Sequence, residues 1–293
     1  MRTPPPMVSR ACAMFLGTTA RTAEQLALGS RTAVYRTGLH DGRSVIVKLY
    51  AHTARRNAVT EAAAIRAAAA TVPVPEVLGC GTTSSEGGTA LITSDLGGCT
   101  LGSAVRASTI TRSQALRDLG GLLARLHQAP IAHPAPSRPF HDAVSSLSRR
   151  CPSDLLNVIG PTLALIADAP ESTPLVWCHG DVHFDNVVLA GPQDARHLVD
   201  FTDAAPGHRE SDVAHALVMA TTHAPQDRLA LTGAYSLVLD DALLSAWAVF
   251  QTVRCWAYAV HHEDRALWSS RLASLTRQSP QLFRTPRKER TPR

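Results

Sequence analysis

The 293 residues are 45% hydrophobic and 18% charged, enough apolar side chain for a substantial core in one large domain or two lobes, which excludes disorder over most of the length. No apolar run reaches the roughly 18 to 20 residues that cross a bilayer, and a formal charge of +5, with four Trp, four Tyr and six Phe, indicates no nucleic-acid or membrane partner. Six cysteines, at positions 12, 80, 99, 151, 178 and 255, form no Cys-x-x-Cys pair and read as reduced, individually buried thiols of a cytoplasmic protein.

In chain order, Arg2 and the short stretch Ala11–Leu16, with Ala11-Cys12-Ala13 as a poor cleavage site, fall short of a signal peptide. Residues 25–95 read as a small β-rich lobe within an N-terminal unit of residues 1–95. Strands Arg31–Thr37 and Arg43–Tyr50 flank Asp41-Gly42, a strong hairpin turn signal. The Ala-rich stretch Ala54–Ala70 has high helix propensity and is ended by Pro73 and Pro75. A strand at Thr89–Thr93 leads into Ser94-Asp95-Leu96-Gly97-Gly98, a connector between lobes.

Residues 96–283 then turn helical. Leu116, Leu119, Leu122, Leu123 and Leu126 recur at steps of three and four, which predicts a helix over Arg112–Gln128 with one face in a core. Residues 131–140 read as a surface loop, and Asp212–Thr221 and Asp240–His261 as helices. The last ten residues, 284–293, hold four Arg and one Lys against one Glu and read as a disordered basic tail.

The chemistry concentrates in Cys-His-Gly-Asp-Val-His-Phe-Asp-Asn, residues 178–186, followed fourteen positions later by Asp200 in His-Leu-Val-Asp-Phe. Short extended segments at Leu175–Trp177, Val187–Leu189 and His197–Phe201 bring Asp181, Asn186 and Asp200 to one edge of a strand-loop-strand unit. One carboxylate to meet an acceptor hydroxyl, with an Asn and a second carboxylate to hold magnesium on nucleotide phosphates, is what a kinase-type site requires. Lys48 supplies a cation for those phosphates. It is the lone charge of Val45-Ile46-Val47-Lys48 and one of two lysines in the chain. Glu61, the only acidic residue between Lys48 and Glu76, is its expected ion-pair partner. Gly29-Ser30-Arg31-Thr32-Ala33-Val34-Tyr35 would cover the phosphates with backbone N–H groups and the Ser30 or Thr32 hydroxyl, or serve as an ordinary hairpin.

These residues resemble the aminoglycoside phosphotransferase and choline kinase-like family, small-molecule relatives of the protein kinases. His179-Gly180-Asp181 through Asn186 looks like its catalytic loop, Val199-Asp200-Phe201 its second metal motif, and Asp203 to Asp212-Val213-Ala214 continues the likeness over residues 24–216. The resemblance implies an α+β, bilobal protein-kinase-like fold that moves phosphate from ATP or GTP, with Mg2+, to a small-molecule hydroxyl. Asp181 would be the base, Asn186 and Asp200 the metal ligands and Lys48 the phosphate contact. Ser94, Asp95 and Leu96 would offer backbone groups to the purine, and Asp212 would brace the loop. Gly180, where protein kinases carry Arg, argues against control by an activation-loop phosphate.

The alternating His179, Asp181, His183 and Asp185 could serve a metal-dependent hydrolase, but no Gly-Asp-x-x-Asp-Arg-Gly or Gly-Asn-His segment follows. A catalytically silent module of the same fold is the other rival. Candidate acceptor contacts are His183, Asp203, Asp240, Asp241, Glu263, Asp264 and Trp256. From Gly97 onward, eighteen acidic residues face nineteen basic ones, so no acidic excess awaits a polycation. An aminoglycoside is the first expectation for the acceptor; a nucleoside or peptide antibiotic, or a sugar or amino-alcohol metabolite, is the alternative.

Overall fold

A computed structural model describes residues 3–28, 32–83, 88–131, 140–169, 174–191, 193–220, 225–278 and 282. Helix α1 (Pro6–Leu16) opens the chain, and strands β1 (Ala20–Leu28), β2 (Thr32–Leu39) and β3 (Ser44–Tyr50) follow. Helix α2 (Arg55–Ala68) leads to β4 (Val77–Thr82) and β5 (Thr89–Ser94), completing a five-stranded antiparallel sheet of order β1-β2-β3-β5-β4. The β2–β3 turn forms at Asp41-Gly42, where Gly42 takes φ 89° and the Asp41 carboxylate accepts the Arg43 N–H.

The two-residue period of β3 sorts its side chains by face. Val45 and Val47 join Val8, Ala11 and Cys12 of α1 in a small core, while Lys48 and Tyr50 point toward α2. The stretch that looks like a weak leader in the sequence is thus a structural helix. Its Phe15 lies over β4, 2.6 Å from where a Cβ on Gly79 would stand, so glycine there is a packing requirement. On α2, Ala58, Glu61, Ala62 and Ile65 are buried at i, i+3, i+4 and i+7, which puts Glu61 inside the face that covers the sheet.

The helical region contains β6 (Cys99–Thr100), α3 (Leu101–Arg106), α4 (Arg112–Leu126), α5 (Phe140–Ser148) and α6 (Ser153–Ala167). After these come β7 (Val176–Cys178), β8 (Val187–Ala190), β9 (Ala195–Leu198), β10 (Ala205–Gly207), α7 (Arg209–Met219), α8 (Pro225–Tyr235), α9 (Asp241–Tyr258) and α10 (His262–Gln278). The short strands pair as β6-β8-β9 and β10-β7. All five leucines predicted for the inner face of α4 are at most 1% exposed. The fold is the expected kinase-like one, an antiparallel sheet region followed by a larger helical region.

Some expectations change. The helix predicted to run to His261 stops at Tyr258, and α10 begins at His262. The extended segment expected to reach Phe201 ends at Leu198, because Asp200 turns the chain with φ 65°. The thiols are unpaired but not uniformly buried, since Cys99 is exposed and Cys80 and Cys255 are partly so. Gly29, Ser30, Arg31, most of the 131–140 loop and the 284–293 tail lie outside the described residues. Among the described residues no helix is long and apolar enough to cross a membrane.

Candidate active site

The loop after β7 is shaped by Gly180 and Asp212. Gly180 has φ 81°, which disfavours a side chain, and a Cβ there would lie 2.3 Å from the Asp203 carbonyl oxygen, so any other residue would require the backbone to shift. Asp212, fully buried in the first turn of α7, accepts the His179 N–H at 2.6 Å and the Gly180 N–H at 2.8 Å. His127, which caps the C-terminus of α4, reaches the same carboxylate at 3.2 Å and is itself set by the Tyr235 hydroxyl at 2.6 Å. Burial pushes the Asp212 carboxyl up, but His127, His179 and the Gly180 N–H together hold it below the usual range. His127 and Tyr235 escape a reading of the sequence, because a His within a leucine-rich helix looks like packing.

The loop is next joined to the strand that leads to Asp200. His179 Nε2 faces the Val199 carbonyl at 2.9 Å, and the Val199 N–H donates to the Asn186 carbonyl at 3.0 Å. Asn186 turns its amide nitrogen onto Asp181, 2.8 Å from the carbonyl and 3.4 Å from Oδ2. Its amide oxygen is therefore left for another partner. Asp200 Oδ1 accepts from Lys48 at 2.7 Å and from Thr202 at 2.6 Å, while Oδ2 takes no hydrogen bond among the described residues. Two hard oxygen donors on neighbouring backbone, each with open valence, fit a magnesium ion.

Lys48, on β3, is paired with Glu61 at 2.6 Å as well as with Asp200. Tyr50, two residues along the same face, donates its hydroxyl to Glu61. Thr202 bridges the group, 3.0 Å from Glu61 and 3.2 Å from Lys48. Burial alone would lower the Lys48 ammonium, yet Glu61 and Asp200 hold it above its ordinary value. The lysine also offsets burial at Asp200, whose carboxyl lies below the usual range. Thr202 and Tyr50 carry no motif that the sequence alone could flag.

Asp181 stands between two imidazoles. His215 Nε2 of α7 is 3.2 Å from Oδ1, and His183 Nε2 is 3.7 Å from Oδ2. Burial raises the Asp181 carboxyl, but His183 and His215 outweigh it and leave the group well below the ordinary range. Asp181 in turn keeps the His183 imidazole above its ordinary value, against burial. Asp185 faces away, bound by Arg106 at 2.9 Å and Thr100 at 2.8 Å.

Other predicted positions are placed differently. Asp95 ties the connector to the sheet through Arg36 at 3.0 Å and Ser44 at 2.7 Å, and the Ser94 N–H is already donated to the Glu76 carbonyl at 2.9 Å. Leu96 follows within the connector, and Thr32 begins β2 opposite Tyr50. Asp203 approaches Arg254 of α9 at 3.7 Å. Asp240 caps α9 by accepting the Leu243 N–H at 2.9 Å, and Asp241 pairs with Arg228 at 3.1 Å. Both stand at the start of α9, about 15 Å of helix before Gln251, the residue of α9 that faces His215 beside Asp181. Glu263 and Asp264 are exposed in the first turn of α10, and the indole of Trp256 donates to Ser269 of that helix at 3.1 Å.

The sequence profile of the phosphotransferase enzyme family matches residues 22–248. No curated protein matches the chain significantly. Among solved structures, it is similar to a choline/ethanolamine kinase family protein from Mesorhizobium loti, with TM-score 0.62 and 18% identity over 90% of this chain and 89% of that one. The GDP complex of aminoglycoside 2'-phosphotransferase-IIIa gives TM-score 0.62 and 15% identity over 94% and 97%. An ethanolamine kinase of Plasmodium vivax gives 0.60 and 13% over 87% and 82%. These likenesses carry the fold, and the profile match, which spans most of the sequence, carries the kinship: the chain belongs to the phosphotransferase enzyme family and is a small-molecule kinase.

Proposed function

We propose that the chain transfers the terminal phosphoryl group of ATP or GTP to a hydroxyl of a small molecule, with Asp181 as base, Asn186 and Asp200 as magnesium ligands and Lys48 as phosphate contact. The supporting observation is a run of contacts from Glu61 through Lys48 to Asp200, whose chain neighbour Val199 donates its N–H to the Asn186 carbonyl, and from Asn186 to Asp181. In the reaction, the acceptor oxygen bonds to the terminal phosphorus as its bond to the bridging oxygen breaks, and a nucleoside diphosphate leaves. Asp181 takes the hydroxyl proton, for which its ionised form is required. Lys48, oriented by Glu61, places its ammonium against the phosphates. Magnesium, when bound, neutralises charge on the phosphate oxygens. The sheet unit, residues 1–95, would carry the nucleotide, with the connector at the purine, and residues 96–283 would carry the acceptor in the cytoplasm.

For the acceptor, a hydroxylated antibiotic is the proposal, as a resistance or self-protection activity. The placement of the carboxylates favours one with fewer cations than an aminoglycoside. Asp118, Asp227 and Asp241 are each paired with an arginine, and the side chains at the Asp181 carboxylate are His215, Asn186 and His183. Among the described residues at Asp181, a polycation would meet two imidazoles and an amide and not a cluster of unpaired carboxylates. The test is a panel of aminoglycosides, nucleosides, peptide antibiotics and amino alcohols incubated with ATP or GTP and magnesium, read by mass spectrometry for one added phosphate. One acceptor outside the aminoglycosides is expected to react, with transfer lost in Asp181→Ala and Asp200→Ala. Transfer that survives Asp181→Ala sinks the assigned base, and reaction of a primary metabolite alone sinks the antibiotic role.

A further inference from the structure

His215 is the one group at Asp181 that no motif accounts for. It sits on α7, one turn beyond the Asp212 brace, with its side chain 6% exposed. Nε2 points at Asp181 Oδ1 from 3.2 Å, yet off the line of a well-formed hydrogen bond, so it is a buried polar atom aimed at a single carboxylate. Its other nitrogen, Nδ1, faces Gln251 Oε1 of α9 at 3.4 Å, and Gln251 Nε2 donates to Ser211 Oγ at 3.2 Å. The imidazole is thereby set by two packed helices and not by the loop that carries Asp181.

We propose that His215, held by Gln251 and Ser211, is a positioning residue that fixes the carboxylate of Asp181 for the acceptor hydroxyl. This rests on the reading of Asp181 as the base. Geometry gives the pair its direction: Nδ1 faces the Gln251 amide at 3.4 Å, and Nε2 stands 3.2 Å from Oδ1, so the ring spans the space between α9 and the carboxylate. That contact restrains Oδ1 and leaves Oδ2, beside Asn186 and His183, as the oxygen turned to the reacting side. A histidine that served only packing would not need this partner. Replacing it by an apolar residue of similar bulk would then cost nothing but the fit.

The experiment compares His215→Leu with His215→Gln, which keeps a donor, by release of inorganic phosphate from ATP or GTP with magnesium and by thermal melting. His215→Leu is expected to lower kcat about 10- to 100-fold, within the range of a misaligned base. The nucleotide KM should stay within twofold; His215→Leu leaves Gln251 Oε1 without its partner and is expected to melt somewhat lower, whereas His215→Gln, which keeps a polar partner there, should melt near the wild type. His215→Gln should recover part of the kcat. Wild-type turnover in His215→Leu, or a loss that only tracks melting, overturns the proposal. A second readout needs no turnover: in protein labelled with 15N-histidine, Asp181→Asn should shift the His215 Nε2 resonance. An unmoved resonance overturns the proposal, whereas a shifted resonance in a wild type that forms no nucleoside diphosphate, with water or with any acceptor of the panel, counts against the phosphotransfer reading alone.

Discussion

Asp212 shows how much one side chain can hold. It is completely buried and its carboxylate organises two backbone N–H groups of the loop and one imidazole. Because its folded value lies below the unfolded one of about 3.9, it stabilises the fold above that pH and loses the contribution as pH falls through the folded value. Asp212→Ala is expected to cost about 3–5 kcal/mol, since the groups it served are left buried without a partner. Urea unfolding should also show a shallower acid loss of stability in Asp212→Asn than in the wild type; equal slopes would contradict the assignment. His183 has the opposite sign, stabilising below about 6.5 and losing this as pH rises through its raised value. The Lys48–Glu61 pair is legible because a charge in an apolar strand needs a counter-ion and the sequence offers one candidate. His215, Thr202 and His127 are not, because a polar residue inside an apolar helix or an unremarkable turn has the same one-letter neighbourhood whether it packs or orients a carboxylate.

Among the elements, α4 is the easiest to read. Its leucine spacing leaves one interpretation, and the helix carries that face into the large core. Leu119→Ala should lower stability by about 2–5 kcal/mol in denaturant titrations. Leu229 on α8, 69% exposed, should tolerate the same change within about 0.5 kcal/mol. A comparable loss at both sites would mean that the apolar faces have been misassigned. Helices α5, α6 and α8 have no counterpart among the sequence expectations, and α6 holds Pro161 in its interior, a residue that argues against a helix on local grounds. Tertiary burial of Ile159 and Ile166 outweighs that signal. Helix α1 reads as a leader-like apolar stretch because its partner, the glycine-lined β4, lies more than sixty residues away in sequence.

For the molecule as a whole, the sheet and helical regions are joined by side chains as well as by the connector. Lys48 reaches Asp200 from the sheet, and the Leu198 N–H donates to the Pro73 carbonyl at 2.9 Å. A ligand that binds at this junction should stabilise both regions together. ATP or GTP with magnesium at a hundredfold excess over Kd is expected to add about 2.7 kcal/mol, seen as a single melting transition moved upward. Asp200→Ala should remove the magnesium-dependent part of that shift; an unchanged shift would place the ion elsewhere. The acceptor side is the least legible scale, because the acidic pairs Asp240-Asp241 and Glu263-Asp264 read as cation contacts in the sequence, whereas the first pair serves a helix cap and an arginine.

The connector also equips the molecule with a chemical handle. Cys99 directly follows Gly97-Gly98 and is exposed, while burial pushes the other five thiols up, Cys12 and Cys255 to about 11. Thiolate is the form that alkylating reagents attack. A maleimide dye would therefore attach first at Cys99, beside the connector, and give an optical record of ligand binding near that joint without any engineered cysteine.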